Sequence, residues 1–392
     1  MHNLNQEGGG IMDFKLTEEQ EAMREMAKSF AEKKIAPTME EDETEHRFRK
    51  EIVKEMARLG FFGCIAPEKY GGNESGYLAA TLMTEQIARV SPSWGLPFNL
   101  QMNSIQSVLL GFGTEEQRER WIPKLINADL LGCFAITEPN TGSDVASMKS
   151  TAQEVEDGFI LNGTKMWISG VPAADLGIVY VYTDKAAKHR GMSAFIVDMH
   201  APGVTQKAIE SKLGLFCAPT GEIIFEDVKV PKSSLVGQKG EGFKICMAML
   251  DNTRLSSAAR AVGVAKACLE HSVRYANERE QFGQPIANFQ MIQEQIAEMY
   301  VEEEAARLLV YRAACNRDEG KRNTVEVSCA KYFAAEVAVK AANTAVKIFG
   351  SYGFSSEYPV ERFYRDSKSY QIVEGTSNIQ KMIIARNALG LK

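Results

Sequence analysis

The chain has 392 residues, 45% hydrophobic and 24% charged, which is enough for two or three packed domains. Its net charge of −6 argues against a nucleic-acid-binding protein. The seven cysteines and five histidines show no metal-ligand or disulfide spacing, and no uncharged apolar run of about 18 residues predicts a membrane span.

The N-terminal third is predicted to be helical. Residues 1–11 are polar and lack the apolar core of a signal peptide, so we expect a disordered leader and a cytoplasmic protein. Thr17 and Gln20 form a capping-box pattern, and apolar residues at helical spacing follow. Further helical patterns continue to Asn127, which predicts an N-terminal helical domain over residues 12–131.

The pattern changes near Leu131. Short β-rich runs cover residues 159–162, 166–169, 178–183, 192–197 and 222–225. Turn signals such as Asp157-Gly158 lie beside them, and no long helix interrupts them. An antiparallel barrel or sandwich is therefore expected over residues 132–241.

The last third returns to helix. Residues 242–280, 290–317 and 325–349 each predict more than six helical turns with short connections. Helices of this length and spacing favour an antiparallel bundle, which we place over residues 242–392.

Two of the four segments with chemical potential flank the start of the β region. Residues 134–144 form a loop rich in small residues and hydroxyls, which suits either a planar heterocycle or an ordinary linker. Trp167, on a predicted strand, either covers a cofactor ring or packs in the core.

The other two segments lie in the helical C-terminal third. Arg279 ends a long helix, where its planar fork either binds a pyrophosphate or complements the helix dipole. Glu374 closes an apolar run and precedes Gly375, with Thr376 as a candidate N-cap. This carboxylate is either a functional group or an acidic residue before a helix start, where the helix dipole favours it.

Together, in this order, the four segments resemble the acyl-CoA dehydrogenase family. The resemblance covers residues 12–392 and extends to residues 71–72, 115–117 and 225–231. Within the family it is greatest to glutaryl-CoA dehydrogenase-like enzymes of anaerobic bacteria. It implies an α+β acyl-CoA dehydrogenase fold, with an N-terminal helical domain, a middle antiparallel β-barrel domain and a C-terminal four-helix bundle.

The resemblance also implies an activity: FAD-dependent α,β-dehydrogenation of an acyl-CoA. Glu374 would abstract the α-proton while the β-hydrogen leaves as hydride to flavin N5. A homotetramer and an electron-transferring flavoprotein as electron acceptor are implied as well. The implied FAD contacts are Phe134, Ile136, Thr137, Ser143, Trp167, Ile168, Ser169, Thr376 and Asn378, with Arg279, Phe282 and residues Lys347 to Gly350 reaching a neighbouring subunit's FAD. The implied acyl-CoA contacts are Ser143, Asp251, Arg254 and Gly375.

Three positions depart from common family patterns. Val373 replaces a frequent Tyr and Phe216 a frequent Arg, while Gly95 stands where glutaryl-CoA enzymes carry an Arg. Trp94, Phe98 and Asn99 surround Gly95, so a distal carboxylate would lack a cation there.

The acyl group expected from these departures is therefore neutral. A short branched or alicyclic group fits, such as cyclohexanecarbonyl-CoA. Alternatives are a glutaryl-CoA or other dicarboxylic acyl-CoA dehydrogenase, a catalytically silent acyl-CoA-binding homologue, and a flavin monooxygenase or nitroalkane oxidase of the same fold.

Overall fold

The computed structural model describes residues 15–391, so the predicted leader over residues 1–11 lies outside the described residues. The chain begins with helices, as its sequence predicts. Thr17 and Gln20 exchange both hydrogen bonds of the capping box at the start of the first helix. The helices of this region are α1 (Glu18–Phe30), α2 (Met39–Glu45), α3 (Lys50–Arg58), α4 (Gly76–Val90), α5 (Ser107–Phe112) and α6 (Glu115–Ile126).

Two helical elements of the N-terminal region are buried deeply. Helix α4 packs against α1 on one side and against the C-terminal helices on the other, which explains why nearly all of it is apolar or small. A wide π-helical segment over Phe98–Gln106 is buried along its whole length and leads directly into α5. No helix in the described part of the chain combines the length and hydropathy that crossing a bilayer requires.

The middle region is a single sheet of eight strands. The strands are β1 (Gly132–Ala135), β2 (Thr151–Val155), β3 (Gly158–Ser169), β4 (Leu176–Tyr182), β5 (Met192–Asp198), β6 (Val204–Ala208), β7 (Thr220–Pro231) and β8 (Leu235–Val236). Their order is β6-β7-β3-β2-β4-β5-β8. Most pairings are antiparallel, but β1 runs parallel to β4, which the sequence runs did not predict. Two predicted runs, 159–162 and 166–169, are one continuous strand β3.

The C-terminal region contains three long helices and two short ones. These are α7 (Gly242–Glu278), α8 (Gln290–Asp318), α9 (Thr324–Phe349), α10 (Pro359–Ser367) and α11 (Ser377–Ala388). A short hairpin, β9 (Glu280–Gln281) and β10 (Gln284–Pro285), connects α7 to α8. Helices α7, α8 and α9 pack against one another around an alanine-rich core, and α10 and α11 pack against α9.

Gln117 connects the helical N-terminal region to the sheet. Gln117 completes the capping box of α6 with Thr114. Its side-chain nitrogen also donates to the carbonyls of Ser233 (2.8 Å) and Leu235 (2.9 Å), beside β8. The Gln117 side chain is buried. Truncating it would leave both carbonyls without their hydrogen-bond donor.

Gln117→Ala is therefore expected to lower stability by about 1–3 kcal/mol, because two buried carbonyls lose their partner. Thermal unfolding should show a midpoint a few degrees below that of the unaltered protein. Glu119→Ala, on the exposed side of the same helix, is the control and should leave the midpoint unchanged. Equal midpoints for the two variants would contradict the role of Gln117.

Candidate active site

The carboxylate of Glu374 is held between two distant parts of the chain. Its Oε1 accepts a hydrogen bond from Asn99 Nδ2 (2.9 Å), on the buried π-helical segment. Its Oε2 accepts one from Thr253 Oγ1 (2.6 Å), in the first half of α7. Each oxygen therefore has a fixed direction and retains acceptor capacity.

The backbone at Glu374 is equally constrained. Glu374 adopts φ +57°, a left-handed conformation that is strained for a residue with a Cβ. Gly375 follows at φ +85°, and a Cβ there would lie 2.8 Å from Gln380 Nε2. Gln380 donates to the carbonyls of both residues, so this turn requires glycine at 375.

A buried lysine holds the same turn from α9. Lys331 is fully buried and donates from Nζ to the Gly375 carbonyl (2.7 Å). Burial lowers the pKa of Lys331 to about 8, although the carboxylate of Glu374 acts in the opposite direction. Glu374 and Gly375 are thus fixed by side chains from α7, α9, α11 and the N-terminal region.

Asp251 and Arg254 lie directly beside this carboxylate. Arg254 Nη1 pairs with Asp251 Oδ1 (2.8 Å), and its Nε donates to the Glu374 carbonyl (3.3 Å). Thr324 Oγ1 in turn donates to Asp251 Oδ2 (2.7 Å). The predicted pair is therefore adjacent to Glu374, with Arg254 buried and Asp251 half-buried.

The predicted loop 134–144 is fixed from beneath by Glu138. Its carboxylate accepts hydrogen bonds from Lys165 Nζ (2.9 Å) and from the backbone N–H groups of Lys149 and Ser150. Although burial alone acts to raise it, the pKa of Glu138 is lowered by Lys165 and these donors. The loop residues Thr141 to Asp144 then face solvent or are half-buried above this anchor.

Trp167 leaves the sheet at an irregularity in β3. The register between β3 and β7 shifts between Lys165 and Ile168, and Trp167 adopts φ +62° with 55% of its surface exposed. Thr137 accepts a hydrogen bond from Met166 N (2.8 Å), so Trp167 stands beside the loop. Of the other predicted residues here, Ile136 and Ile168 are buried, while Phe134 and Ser169 are half-buried and Ser143 is exposed.

A second group of predicted residues lies at the far end of α7. Phe282 is 93% exposed in the hairpin, and the Arg279 guanidinium lies over the Tyr352 ring at 5.5 Å. Lys347 and Gly350, at the end of α9, are also exposed. Thr253 and Arg279 are 26 residues apart, about 39 Å along a helix axis, so this group is remote from Glu374. Thr376 caps α11 by accepting from Ile379 N, and Asn378 is exposed at its first turn.

The surroundings of Gly95 differ from the expectation. Trp94, Phe98 and Asn99 are buried, as an acyl site requires. However, a Cβ on Gly95 would lie 2.8 Å from Cγ and Cδ of Arg260, which projects from α7. A cation from a helix 165 residues further along the chain therefore packs against this position, which the local sequence around Gly95 does not indicate.

Sequence reasoning missed four residues of this region: Thr253, Arg260, Lys331 and Gln380. Arg260 and Lys331 carry a recognisable signal, since each is a cation within a helical run of small and apolar residues. Thr253 and Gln380 carry no comparable signal, because their roles depend on which segments meet in space.

Comparison with known proteins gives matches over nearly the whole chain. Three family models match: "Acyl-CoA dehydrogenase, N-terminal domain" over residues 17–129, "middle domain" over 133–228 and "C-terminal domain" over 240–389. A glutaryl-CoA dehydrogenase of Desulfococcus multivorans is 47% identical over 386 residues, covering 97% of this chain and 99% of that protein.

Solved structures agree with these matches. The structure titled as a glutaryl-coenzyme A dehydrogenase glutaryl-CoA complex has a TM-score of 0.95 at 47% identity, covering 97% of this chain and 98% of that one. The FAD complex of PigA has a TM-score of 0.92 at 32% identity, covering 97% of this chain and 100% of that one.

Lys331→Met should change how stability depends on pH. The pKa of Lys331 falls from 10.5 to about 8 on folding, so between these values the unfolded chain holds a proton that the folded chain has lost. The free energy of unfolding of the unaltered protein should then rise with pH relative to the variant, by up to about 3 kcal/mol. Thermal midpoints measured from pH 7 to 10 test this. Lys33→Met, at an exposed position in the N-terminal region, is the control, and a constant difference across the range would refute the prediction.

Proposed function

The chain belongs to the acyl-CoA dehydrogenase family, and we propose that it removes hydrogen from the α and β carbons of an acyl-CoA thioester with Glu374 as the base. Members of this family are flavin-dependent oxidoreductases that act on CH–CH bonds. The observation that supports the assignment of the base is the carboxylate of Glu374, fixed between Asn99 and Thr253.

FAD suits the side chains beside the loop. Trp167 presents a large aromatic surface without a covering neighbour, next to the hydroxyls of Thr137 and Ser169. Ile136 packs in one cluster with Leu250 of α7, three residues before Thr253, so this surface and Glu374 share one end of α7. We propose that these residues, with Phe134, Ser143 and Ile168, hold the flavin end, and that Thr376 and Asn378 contact the adenine half. When bound, FAD supplies the acceptor for the β-hydrogen.

The proposed role of Glu374 follows from its hydrogen bonds. A general base must present a lone pair to the α-proton without rotating away. Asn99 and Thr253 each occupy one acceptor position of the carboxylate and leave the others available. The left-handed turn directs the carboxylate towards Asn99 and α7 and keeps it out of the following helix.

The backbone of the same turn suits the developing enolate. The N–H groups of Glu374 and Gly375 donate to no acceptor within residues 15–391. Free backbone donors next to a base are suited to stabilise the oxyanion of a thioester carbonyl as its α-proton leaves. We propose that Glu374 supplies both the base and, through its N–H, one oxyanion donor, while Arg254 and Asp251 line the acyl-CoA path.

The distance along α7 supports an oligomer. Arg279 lies about 39 Å along the helix axis from Thr253, which binds the Glu374 carboxylate. The exposure of Phe282, Lys347 and Gly350 suits contact with the FAD of another subunit. We propose a homotetramer, and an electron-transferring flavoprotein as the acceptor of the electrons.

The acyl group that the site accepts depends on the residues around Gly95. A neutral branched or alicyclic group, such as cyclohexanecarbonyl, was expected because Gly95 offers no charge. The packing of Arg260 against Gly95 instead supports the dicarboxylic acyl-CoA alternative. A silent acyl-CoA-binding protein would not need a carboxylate held on both oxygens.

Glu374→Gln should retain FAD and bind acyl-CoA but lose dehydrogenation by about 10²–10⁴-fold, because the amide cannot accept the proton. Anaerobic bleaching of the flavin band by acyl-CoA measures the loss. Glu357→Gln, exposed and remote from the turn, is the control. Turnover near the original rate would show that the base is misassigned, and no bleaching of the unaltered protein by any acyl-CoA would favour the silent homologue.

Arg279→Ala should lose FAD and weaken the oligomer together, since the proposal gives this guanidinium to a neighbouring subunit's pyrophosphate. Flavin content per chain and mass from light scattering measure both effects. Arg274→Ala, exposed on the same helix, removes the same charge and should change neither. A fully flavinated Arg279→Ala variant of unchanged mass would refute the assignment.

A further inference from the structure

Arg260 is a buried cation without a counter-charge. The residue is 2% exposed, and its guanidinium makes no hydrogen bond or ion pair within the described residues 15–391. The neighbours identified for it are the Tyr370 ring, 5.6 Å from Cζ, and the backbone of Gly95. We call these three residues the Arg260 corner.

Such an arrangement is costly unless a ligand completes it. Arginine cannot escape burial by losing its proton. An unpaired buried charge costs several kcal/mol, and a carboxylate with good geometry offsets most of that cost. The other arginine on this stretch of α7, Arg254, has its carboxylate in Asp251, which makes the missing partner of Arg260 a specific feature.

The Arg260 corner and Glu374 lie at opposite ends of the proposed acyl site. Thr253, which binds the Glu374 carboxylate, and Arg260 are seven residues apart on α7, so they share one face of the helix at about 10 Å along the axis. On the facing segment, Asn99 binds the same carboxylate, and Gly95, four residues earlier, contacts Arg260. Helix α7 and the segment that contains Gly95 and Asn99 therefore both extend from Glu374 to the guanidinium of Arg260.

Unpaired hydroxyls accompany the guanidinium. The Oγ of Ser257, one turn before Arg260, and the OH of Tyr370 are both buried without a partner in the described part of the chain. Side chains on a helix point towards its N-terminus, so Arg260 extends back along α7 towards Thr253. The space for an acyl chain between Glu374 and Arg260 is therefore short. The end of this space at Arg260 is polar and positively charged.

We propose that Arg260 is the specificity-determining residue of the acyl site and pairs with the distal carboxylate of a short dicarboxylic acyl-CoA. The inference rests on the proposed function, because it takes Glu374 as the position of the α-carbon. A four- or five-carbon chain places its second carboxylate at the Arg260 corner when its α-carbon is at Glu374. The guanidinium fork then donates hydrogen bonds to both carboxylate oxygens.

The test compares glutaryl-CoA with valeryl-CoA, which has the same five-carbon chain without the charge. The unaltered holoenzyme should show a kcat/KM for glutaryl-CoA at least about tenfold above that for valeryl-CoA. Arg260→Met, which keeps the packing against Gly95, should lower kcat/KM for glutaryl-CoA by about 30- to 5,000-fold and change that for valeryl-CoA by less than about threefold. Arg274→Met is the control for loss of one charge on α7 and should change neither value.

A binding measurement separates this inference from the assignment of the base. In the Glu374→Gln background, calorimetry should give a Kd for glutaryl-CoA that Arg260→Met weakens by a similar factor, while Kd for valeryl-CoA stays within about threefold. Arg260→Lys, which retains a charge, should keep the preference for glutaryl-CoA and covers the case that Arg260→Met fails to fold.

Two results would overturn the role of Arg260. One is a preference of the unaltered enzyme for valeryl-CoA, and the other is a parallel loss of both substrates in a folded, FAD-containing Arg260→Met variant. Absence of flavin bleaching with every acyl-CoA, with selective binding of glutaryl-CoA retained, would instead refute the proposed dehydrogenation and leave the Arg260 site intact.

Discussion

The two hydrogen bonds to the Glu374 carboxylate are the interaction on which the site depends. They join the π-helical segment of the N-terminal region, the first half of α7 and the turn before α11. None of these segments alone fixes the carboxylate. The fold therefore positions one side chain by packing the N-terminal and C-terminal helical regions against each other, with α4 and α7 as the shared contact. A change in that packing would therefore displace the carboxylate even if no residue in contact with it were altered.

Local sequence signals predicted the helices well where one residue type determines a helix end or where apolar residues recur at helical spacing. The capping box at Thr17, the N-cap at Thr376 and the three long helices belong to this group. The parallel pairing of β1 with β4 was not predictable, because β1 has four residues and no alternation of its own. Strand pairing between distant segments depends on the whole sheet.

In the site, too, local features were predictable and contacts between distant segments were not. Glu374 and Gly375 were recognisable from a carboxylate and a glycine in an unusual context, and the structure gives the reason in a left-handed turn. The contacts that hold this turn were not predictable, since Asn99, Thr253 and Lys331 come from three separate elements that meet only in the folded chain. At Gly95 the sequence shows no charge, whereas Arg260 packs against this position from another helix. Reasoning one position at a time cannot show which cation lies beside Gly95 in space.

The contact between Gly95 and Arg260 also restricts how this site can change over evolutionary time. A Cβ at position 95 would lie 2.8 Å from two carbons of Arg260, so a larger residue at 95 requires the Arg260 side chain to shift. Substitutions at these two positions are therefore expected to be non-additive. Replacing Arg260 by a smaller residue should make a side chain at position 95 easier to accommodate.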